Sequence, residues 1–359
     1  MHVNWKHVAL ALAVLPFAAI FAAWIGFFNV GASTGHWKIT DWFLHFAMRS
    51  AVRTYALAVD APEQLPRGAI QPAAGHYARG CAVCHGAPDE PRSPAVMRML
   101  PQPPDLAAKV GEWTDAQLFR IVKHGIRFTG MPAWPTLDRD DEVWAMVAFL
   151  RELPSLDGAA YRELAFGQGR IVDDAFSPRL ERALVDCVRC HGRDGLGRSP
   201  ATPALAGQNQ AYLLESLSAY QHNDRASGFM TLPVTGVDPG DLPALAAYFS
   251  ALPAAVPGQE GSRDLVSVGK DIAERGRVTD RIPACLSCHE SGRNPAYPRL
   301  DGLDPAYMRT QLKLFREARR GGTQYRHLME TAAKELTDHD IEALAAYFSS
   351  RETADQRPE

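Results

Sequence analysis

The sequence predicts a mainly α-helical protein in which one N-terminal transmembrane helix precedes three small helical units in tandem. Two observations predict the units: a Cys-x-x-Cys-His motif occurs three times, and an alanine-rich helical segment recurs with a period of 99 residues. The third observation is an uncharged apolar run over residues 8–28, which is long enough to cross a hydrocarbon core. With 359 residues, the chain has room for two or three domains.

The three motifs use every cysteine of the chain. The cysteines are Cys81, Cys84, Cys187, Cys190, Cys285 and Cys288, and the histidines that follow them are His85, His191 and His289. Cys-x-x-Cys-His is the attachment signal for c-type haem, in which the thiols become thioethers and the histidine becomes the proximal iron ligand. A zinc site would need a second ligand pair, and a redox-active Cys-x-x-Cys would need only one copy. We therefore predict three covalently attached haem c groups, each with one iron.

The apolar run has two interpretations. A segment of about 30 Å suits an uncleaved membrane anchor, whereas a secretory signal usually has an apolar region of ~7–15 residues. Val-Gly-Ala at residues 30–32 is an acceptable cleavage site, so processing stays open, but the length favours an anchor. Since haem is attached on the periplasmic side, the motifs predict a single span in the inner (cytoplasmic) membrane and haem domains in the periplasm.

Between the anchor and the first motif, residues 40–59 are predicted to form an amphipathic helix. Trp42 and Phe46 fall on one face, which suits a helix that lies along the membrane surface or packs on a partner subunit. His36 and His45 lie in the same region. An isolated histidine beside aromatic residues is more often packed or interfacial than bound to iron.

The recurring helical segment closes each unit about 60 residues after its haem motif. It occupies residues 145–150, 244–250 and 343–349. We expect these helices to be capped by Asp138 or Asp140, by Asp238 and by Thr337.

Stretches rich in proline and glycine at residues 60–75, 154–158 and 253–261 are predicted linkers. The predicted organisation is an anchor (1–30), a juxtamembrane amphipathic helix and linker (31–71), three haem domains (72–154, 155–256 and 257–351) and a polar tail (352–359).

The sixth ligand of each iron decides the function, because a protein ligand favours electron transfer and an open position favours small-molecule binding. Methionine is the usual sixth ligand in electron-transfer haems. The candidates Met131, Met230 and Met329 lie 46, 39 and 40 residues after the histidines of their units, before each closing helix. The predicted axial pairs are His85 with Met131, His191 with Met230, and His289 with Met329.

Other residues fit this role less well. Two methionines come too early after the first motif, one lies in a closing helix and one lies in a helical pattern that suits core packing. These methionines are Met97, Met99, Met146 and Met308, and the less favoured histidine substitutes are His124, His222 and His327.

A Pro-x-Leu segment follows each motif, beginning at Pro104, Pro203 and Pro298. A backbone carbonyl in such a segment can accept the N–H of the proximal histidine and fix the imidazole plane. At Pro298, an ordinary turn before a helix is an equally good interpretation.

With these elements, residues 72–351 resemble the class I cytochrome c family: a helix entering Cys-x-x-Cys-His, a Pro-x-Leu segment, a distal methionine and a closing helix. The last two units resemble the bacterial dihaem cytochromes c of the c-four type. The resemblance implies three tandem class I cytochrome c domains, which are small helical haem-binding bundles, with two haems packed across a pseudo-twofold interface. It also implies arginines near the haem propionates, namely Arg316 with Arg319 or Arg320. The chain departs from the family where Glu290 replaces glycine and where the middle unit lacks the FRxGxR pattern.

We therefore expect an electron-transfer protein rather than an enzyme: a membrane-anchored periplasmic trihaem cytochrome of a respiratory chain. It would receive electrons from a cytochrome bc complex or a soluble cytochrome and pass them to a terminal oxidase. The alternative is the cytochrome c subunit of a membrane-bound quinoprotein or flavoprotein dehydrogenase that passes electrons to ubiquinone. A haem peroxidase would need an open distal position, and a net charge of −3 excludes a nucleic-acid partner.

Overall fold

The structure is a computed structural model that describes residues 4–31, 33–167, 177–254, 262–290 and 294–351. Within these ranges every regular element is a helix, and the β-type pairings are three isolated bridges. The prediction of a mainly α-helical protein is confirmed. The predicted tail at 352–359 and most of the predicted linker at 253–261 lie outside the described residues.

The first helix, α1 (Trp5–Trp24), begins three residues before the predicted apolar run and ends four residues before its end. Asn4 caps the helix by accepting a hydrogen bond from the Lys6 amide (3.2 Å). With 20 residues, α1 is long and apolar enough to cross a membrane, and none of its residues is buried against the rest of the chain. Pro16 is accommodated inside the helix.

The second helix, α2 (Lys38–Ala56), begins two residues before and ends three residues before the predicted span. Its carboxyl-terminal half lies on the first haem domain, where the Arg49 guanidinium is 5.0 Å from the centre of the Trp113 ring. In its amino-terminal half the rings of Trp42 and Phe46 stack on each other and are exposed. One end of α2 therefore packs on protein, while the end nearer α1 presents an aromatic surface.

Six helices surround the first core. They are α3 (Ile70–His76), α4 (Ala82–His85), α5 (Leu106–Lys109), α6 (Asp115–His124), α7 (Asp140–Glu152) and α8 (Gly158–Phe166). A π-helical turn over Tyr77–Cys81 joins α3 to α4, so one continuous helix leads into the first haem motif. Tyr77, Phe149 and Tyr161 are fully buried at the centre of this core.

One of the predicted linkers is partly wrong. Residues 70–75 form most of α3, and α8, which was predicted to lie in the second domain, packs Tyr161 and Ala165 into the first core. The composition misled because Pro72 is tolerated in the first turn of a helix and the alanines beside it allow close packing. We propose that the boundary between the first two domains follows Phe166 rather than residue 154.

Two further cores follow along the chain. The second is built from α9 (Pro178–His191), α10 (Gln210–Gln221), α11 (Gly228–Thr235) and α12 (Leu242–Ala251). The third is built from α13 (Arg263–Arg275), α14 (Leu286–His289), α15 (Pro305–Arg316), α16 (Arg326–Ala333) and α17 (Asp338–Ser350). Leu184 and Leu245 are fully buried in the second core, as are Ile341 and Leu344 in the third.

The closing helices α7, α12 and α17 begin in different ways. Thr337 caps α17 with a capping box, and Asp238 caps the turn that leads into α12, so these two predictions are confirmed. The prediction for α7 is wrong: Arg139 holds the N-cap position and makes no capping hydrogen bond. Asp140, one residue further on, pairs instead with Lys123.

The second and third domains contact each other through backbone hydrogen bonds. Gly322 donates to the Asp224 carbonyl (2.8 Å), and Ala226 donates to the Arg320 carbonyl (3.0 Å). Gly321 lies between them with a φ of 62°, and a side chain at this position would strike the Asp224 carbonyl. The two domains are therefore joined by a short antiparallel backbone pairing around Arg225 and Gly321.

The first and second domains meet along α3 and α9, the helices that lead into their haem motifs. The Gln71 amide donates to the Arg189 carbonyl (2.9 Å), and Arg79 pairs with Asp186. A Cβ atom at Gly75 would lie only 3.1 Å from the Sγ atom of Cys190. The first motif helix is thus in direct contact with a cysteine of the second motif.

Candidate haem sites

The six motif cysteines are free thiols on or beside the helices that carry the motif histidines. Burial raises the pKa of Cys81 and Cys187 to about 12 and that of Cys190 and Cys285 to about 11. These buried thiols are therefore protonated at neutral pH. In the part of the chain that the structure describes, no group of three or more His, Cys, Asp or Glu residues could hold a metal ion.

The three motif histidines make the same hydrogen bond, from Nδ1 to the backbone carbonyl of a Pro-x-Leu segment. The pairs are His85 with Pro104 (2.9 Å), His191 with Pro203 (3.0 Å) and His289 with Pro298 (3.0 Å). The predicted use of the Pro-x-Leu carbonyls is thereby confirmed, at Pro298 as well. Since Nδ1–H donates to the carbonyl, Nε2 keeps the lone pair that an iron ligand needs.

Burial also keeps these imidazoles neutral. Burial lowers the pKa of His191 to about 4 and also lowers the pKa values of His85 and His289. The hydrogen bonds to the carbonyls act in the opposite direction but do not outweigh burial. A neutral imidazole is the form that binds a metal. Orientation and protonation state are therefore both fixed in the form that ligation requires.

In the third domain, the two predicted axial ligands face each other. Nε2 of His289 lies 3.4 Å from Sδ of Met329, and both side chains line the same cavity. Met329 also packs against the third core, on α16. The imidazole lone pair and the thioether, which are the donors that a His–Met haem iron takes, thus converge on one place.

One cavity of about 560 Å³ extends through the second and third domains. Both proposed attachment sites line it, with the residues Cys187, Cys190, His191 and Met230 from one domain and Cys285, Cys288, His289 and Met329 from the other. Its other walls include buried apolar side chains such as Leu245, Phe249 and Leu344. A large apolar space with thiols, neutral imidazoles and thioethers on its walls fits haem c.

In the first domain, Met131 lies in the loop between α6 and α7. Its amide donates to Oγ1 of Thr129 (3.1 Å), and its carbonyl accepts from the Ile126 amide (3.2 Å). Gly125 has a φ of 62°, and a side chain there would press on the Met131 carbonyl at 2.5 Å. The loop that carries Met131 is therefore held in one shape by its own backbone.

The less favoured ligand candidates lie elsewhere. Met146 is fully buried in α7 and Met308 is buried in the third core, as core packing predicts. The histidines at 36, 45, 124, 222 and 327 are exposed. Met99 packs its methyl group close to Gly130.

Two arginines are buried in the cavity wall between the second and third domains. Arg225 contacts the hydroxyls of Ser216 (3.2 Å) and Tyr307 (3.3 Å), and Arg320 contacts Oε1 of Gln311 (2.8 Å). Among the described residues, no carboxylate lies within ion-pair distance of either guanidinium. Two buried cations without an anion require one, and the propionates of the haems are suitable.

The positive charge of these two arginines also acts on a neighbouring tyrosine, Tyr212. Burial alone would raise the pKa of Tyr212, but Arg225 and Arg320 together lower it to about 7. The hydroxyl of Tyr212 lies 3.2 Å from the guanidinium of Arg320 and 3.4 Å from that of Arg225. Tyr212 therefore sits at the centre of the positive region.

Sequence reasoning identified only part of this arginine pair. Of the expected residues, Arg320 lines the cavity, whereas Arg316 contacts the Leu336 carbonyl and Asp338, and Arg319 pairs with Asp140. Arg225 was missed because the middle unit lacks the FRxGxR pattern. Its partners come from both domains, so no local signal could have identified it.

Comparisons with known proteins find similarity to cytochromes c. A family model described as cytochrome c oxidase, cbb3-type, subunit III matches residues 68–150, and one described as cytochrome c matches residues 269–352. Cytochrome c4 of Azotobacter vinelandii is 35% identical over 177 residues, which cover 45% of this chain and 82% of that protein. A protein named thiosulfate dehydrogenase electron acceptor, from Thiomonas intermedia, is 31% identical over 172 residues, which cover 46% of this chain and 79% of that protein.

A solved structure is also similar. The cytochrome c4 of Acidithiobacillus ferrooxidans is 35% identical, with a TM-score of 0.42, and the match covers 46% of this chain and 98% of that chain.

Proposed function

The chain belongs to the class I cytochrome c family, with last domains similar to dihaem cytochrome c4, and from this premise we propose that it is a membrane-anchored trihaem cytochrome that carries electrons in a respiratory chain. The attachment residues are the six motif cysteines, and the axial pairs are His85 with Met131, His191 with Met230, and His289 with Met329. The observation that carries the proposal is the convergence of His289 and Met329 in one apolar cavity.

Haem c, when bound, supplies a one-electron couple at its iron. The chain's own residues set the conditions for that couple. Burial keeps each imidazole neutral and the Pro-x-Leu carbonyls fix its orientation, and a methionine thioether bound to the iron would favour the reduced form and raise the potential. Arg225 and Arg320, which line the cavity, would balance the charge of the haem propionates. With both axial positions filled by protein, the sites are closed to small molecules and suited to electron transfer.

The arrangement of the domains supports a relay. The second and third sites share one cavity, and the motif helix of the first domain touches Cys190 of the second. Each proposed haem site therefore adjoins the next one along the chain. Electrons can pass through the protein without leaving it.

The helix α1 serves as the anchor in this proposal, with the haem domains in the periplasm, where haem is attached. The exposed aromatic side chains at the start of α2 suit the membrane surface. Anchoring would keep the cytochrome at high local concentration near a quinol-oxidising complex and a terminal oxidase.

The test is a series of methionine substitutions followed by the near-infrared band that arises from methionine bound to ferric haem. Met131→Ala, Met230→Ala and Met329→Ala should each remove about one third of the band and lower the potential of one haem. The buried core methionine Met308→Leu is the matched control and should leave the band unchanged. A variant that loses no band intensity removes that methionine from the set of ligands.

A second function is favoured by one relative, whose name describes it as the electron acceptor of thiosulfate dehydrogenase. In that case this chain would be the cytochrome subunit of a membrane-bound dehydrogenase and would reduce ubiquinone. Gentle detergent extraction followed by affinity purification separates the two functions. Co-purification with an oxidase supports the respiratory relay, whereas a stable dehydrogenase partner supports the alternative.

A further inference from the structure

The amino-terminal end of α7 carries a buried carboxylate that reaches out of its own domain. The Glu142 side chain is 2% exposed. Its Oε1 accepts from the hydroxyl of Ser227 (2.5 Å), and its Oε2 accepts from the amides of Gly228 (2.6 Å) and Phe229 (3.3 Å). These three donors belong to the second domain and directly precede Met230.

Two contacts from the first domain complete the surroundings of this carboxylate. The indole Nε1 of Trp134 donates to Oε2 (3.2 Å), and the guanidinium of Arg139 lies 3.0 Å from Oε1. Burial raises the pKa of Glu142, and the positive charge of Arg139 opposes that rise. Each group that contacts the carboxylate oxygens is a hydrogen-bond donor, so an acceptor-only side chain fits this position.

The corresponding positions of the other two closing helices act within their own domains. The 99-residue repeat aligns Glu142 with Asp241 and Asp340. Asp241 pairs with Arg179 at the start of α9, and Asp340 belongs to the capping box of α17. Among the three, Glu142 is the one that contacts the next domain.

The neighbouring cap position differs in the same way. Arg139 aligns with Asp238 and Thr337, whose side chains cap their helices. The Arg139 side chain makes no capping hydrogen bond and donates instead to the Ala226 carbonyl (2.8 Å). The loss of a capping hydrogen bond destabilises a helix terminus. The first turn of α7 is therefore specialised for contact with the 226–229 segment.

This contact is continuous with Met230. The hydroxyl of Ser227 accepts from the Met230 amide (3.1 Å) while it donates to Glu142, so it caps α11 and links the two residues. A side chain at Gly228 would overlap the indole of Trp134, which shows how closely the first domain covers this segment. Two hydrogen bonds that share the hydroxyl of Ser227 thus link Met230 to a carboxylate of another domain.

We propose that Glu142 is a positioning residue for the second haem: the docked first domain holds the Met230 segment in the shape that distal ligation requires. This inference rests on the proposed function, because it takes Met230 to be an iron ligand. It makes the first haem domain a structural part of the second haem site as well as a carrier of its own haem.

The test uses the full-length holoprotein with Glu142→Gln, which keeps the shape but offers one acceptor oxygen where the site has donors on both sides. We expect the near-infrared methionine band to fall by up to about one third, the share of one haem among three. We also expect backbone amide exchange at residues 228–231 to rise at least about tenfold, as a segment released to local opening does. Glu152→Gln, at the other end of α7, is the matched control and should change neither quantity.

An unchanged band and unchanged amide exchange in Glu142→Gln would overturn the inference. If that variant fails to fold, Ser227→Ala tests the same link from the second domain and should give the same two effects, and the absence of both would be equally decisive. Met230→Ala separates this failure from a failure of the proposed function. If Met230→Ala leaves the band intact, Met230 is not a ligand and both proposals fall, whereas loss of the band in Met230→Ala alone overturns only the role of Glu142.

Discussion

A buried histidine at the junction of the first two domains gives a pH-dependent prediction. His76 is 8% exposed, its ring lies 4.5 Å from that of Trp134 and 5.5 Å from that of Phe229, and its Nδ1 has no hydrogen-bond partner among the described residues. Burial, with a smaller contribution from Arg79, lowers its pKa from 6.5 to about 4. Arg79 is itself paired with Asp186. The folded protein therefore resists the protonation that the unfolded chain accepts.

The sign and size of the effect follow from linkage between protonation and folding. A histidine whose pKa is lower in the folded state binds its proton first in the unfolded state, so stability is lost as the pH falls from 6.5 towards 4. A pKa difference of this size corresponds to about 3 kcal/mol of unfolding free energy. His76→Phe should remove that acid sensitivity, and at pH 7 it should be at least as stable as the wild type because no unpaired buried nitrogen remains.

Tryptophan fluorescence is a selective assay, because all seven tryptophans lie at or before Trp144 and so report on the first domain and its membrane-proximal helices. Urea unfolding of the holoprotein would be measured at pH 7, 5.5 and 4 for the wild type, for His76→Phe and for the exposed control His327→Gln. The control should follow the wild type. Parallel loss of stability in the wild type and in His76→Phe would refute the reasoning.

Three further predictions concern the cores. Tyr161→Phe should stabilise the first domain by about 1–2 kcal/mol, because the buried Tyr161 hydroxyl has no partner among the described residues. Tyr77→Phe should instead destabilise it by about 1 kcal/mol, because the Tyr77 hydroxyl donates to the Gly86 carbonyl (2.6 Å). Amide exchange in α7 measures both changes, and equal effects would contradict the prediction. Gly75→Val should weaken contact between the first two domains by about 1–3 kcal/mol, while Gly111→Ala, which meets no atom within 4 Å, should not. Backbone amide exchange at residues 188–191 of α9 compares them, and equal exchange in the two variants would refute the close packing. Replacement of all six cysteines by alanine should abolish stable folding, because each unit is small and uses the haem as part of its core; native far-UV helicity with cooperative melting would disprove this.

The local features of this fold could be predicted from the sequence. Helices with strong periodicity, the caps at Thr337 and Asp238, and the carbonyl partners of the motif histidines follow from short patterns, and the structure contains them. An error arose at residues 70–75, where small residues and a proline were taken for a linker although α3 uses them to pack closely.

The features that the sequence could not reveal depend on residues brought together from different domains. Arg225 and Arg320 meet at a domain interface, and Glu142 finds its partners more than 80 positions further along the chain. In one sequence, such residues are indistinguishable from ordinary surface charges until the domains are docked. His76 was missed for the same reason, because its burial depends on Phe229 of the second domain.

The central claim is that the chain holds three closed, six-coordinate haems. The most direct measurement is a haemochrome count per chain combined with exposure of the reduced, undenatured protein to carbon monoxide. The account predicts three haems per chain and no spectral change with carbon monoxide, because each distal position is filled by a methionine. A count other than three, or rapid carbon monoxide binding at any haem, would contradict it.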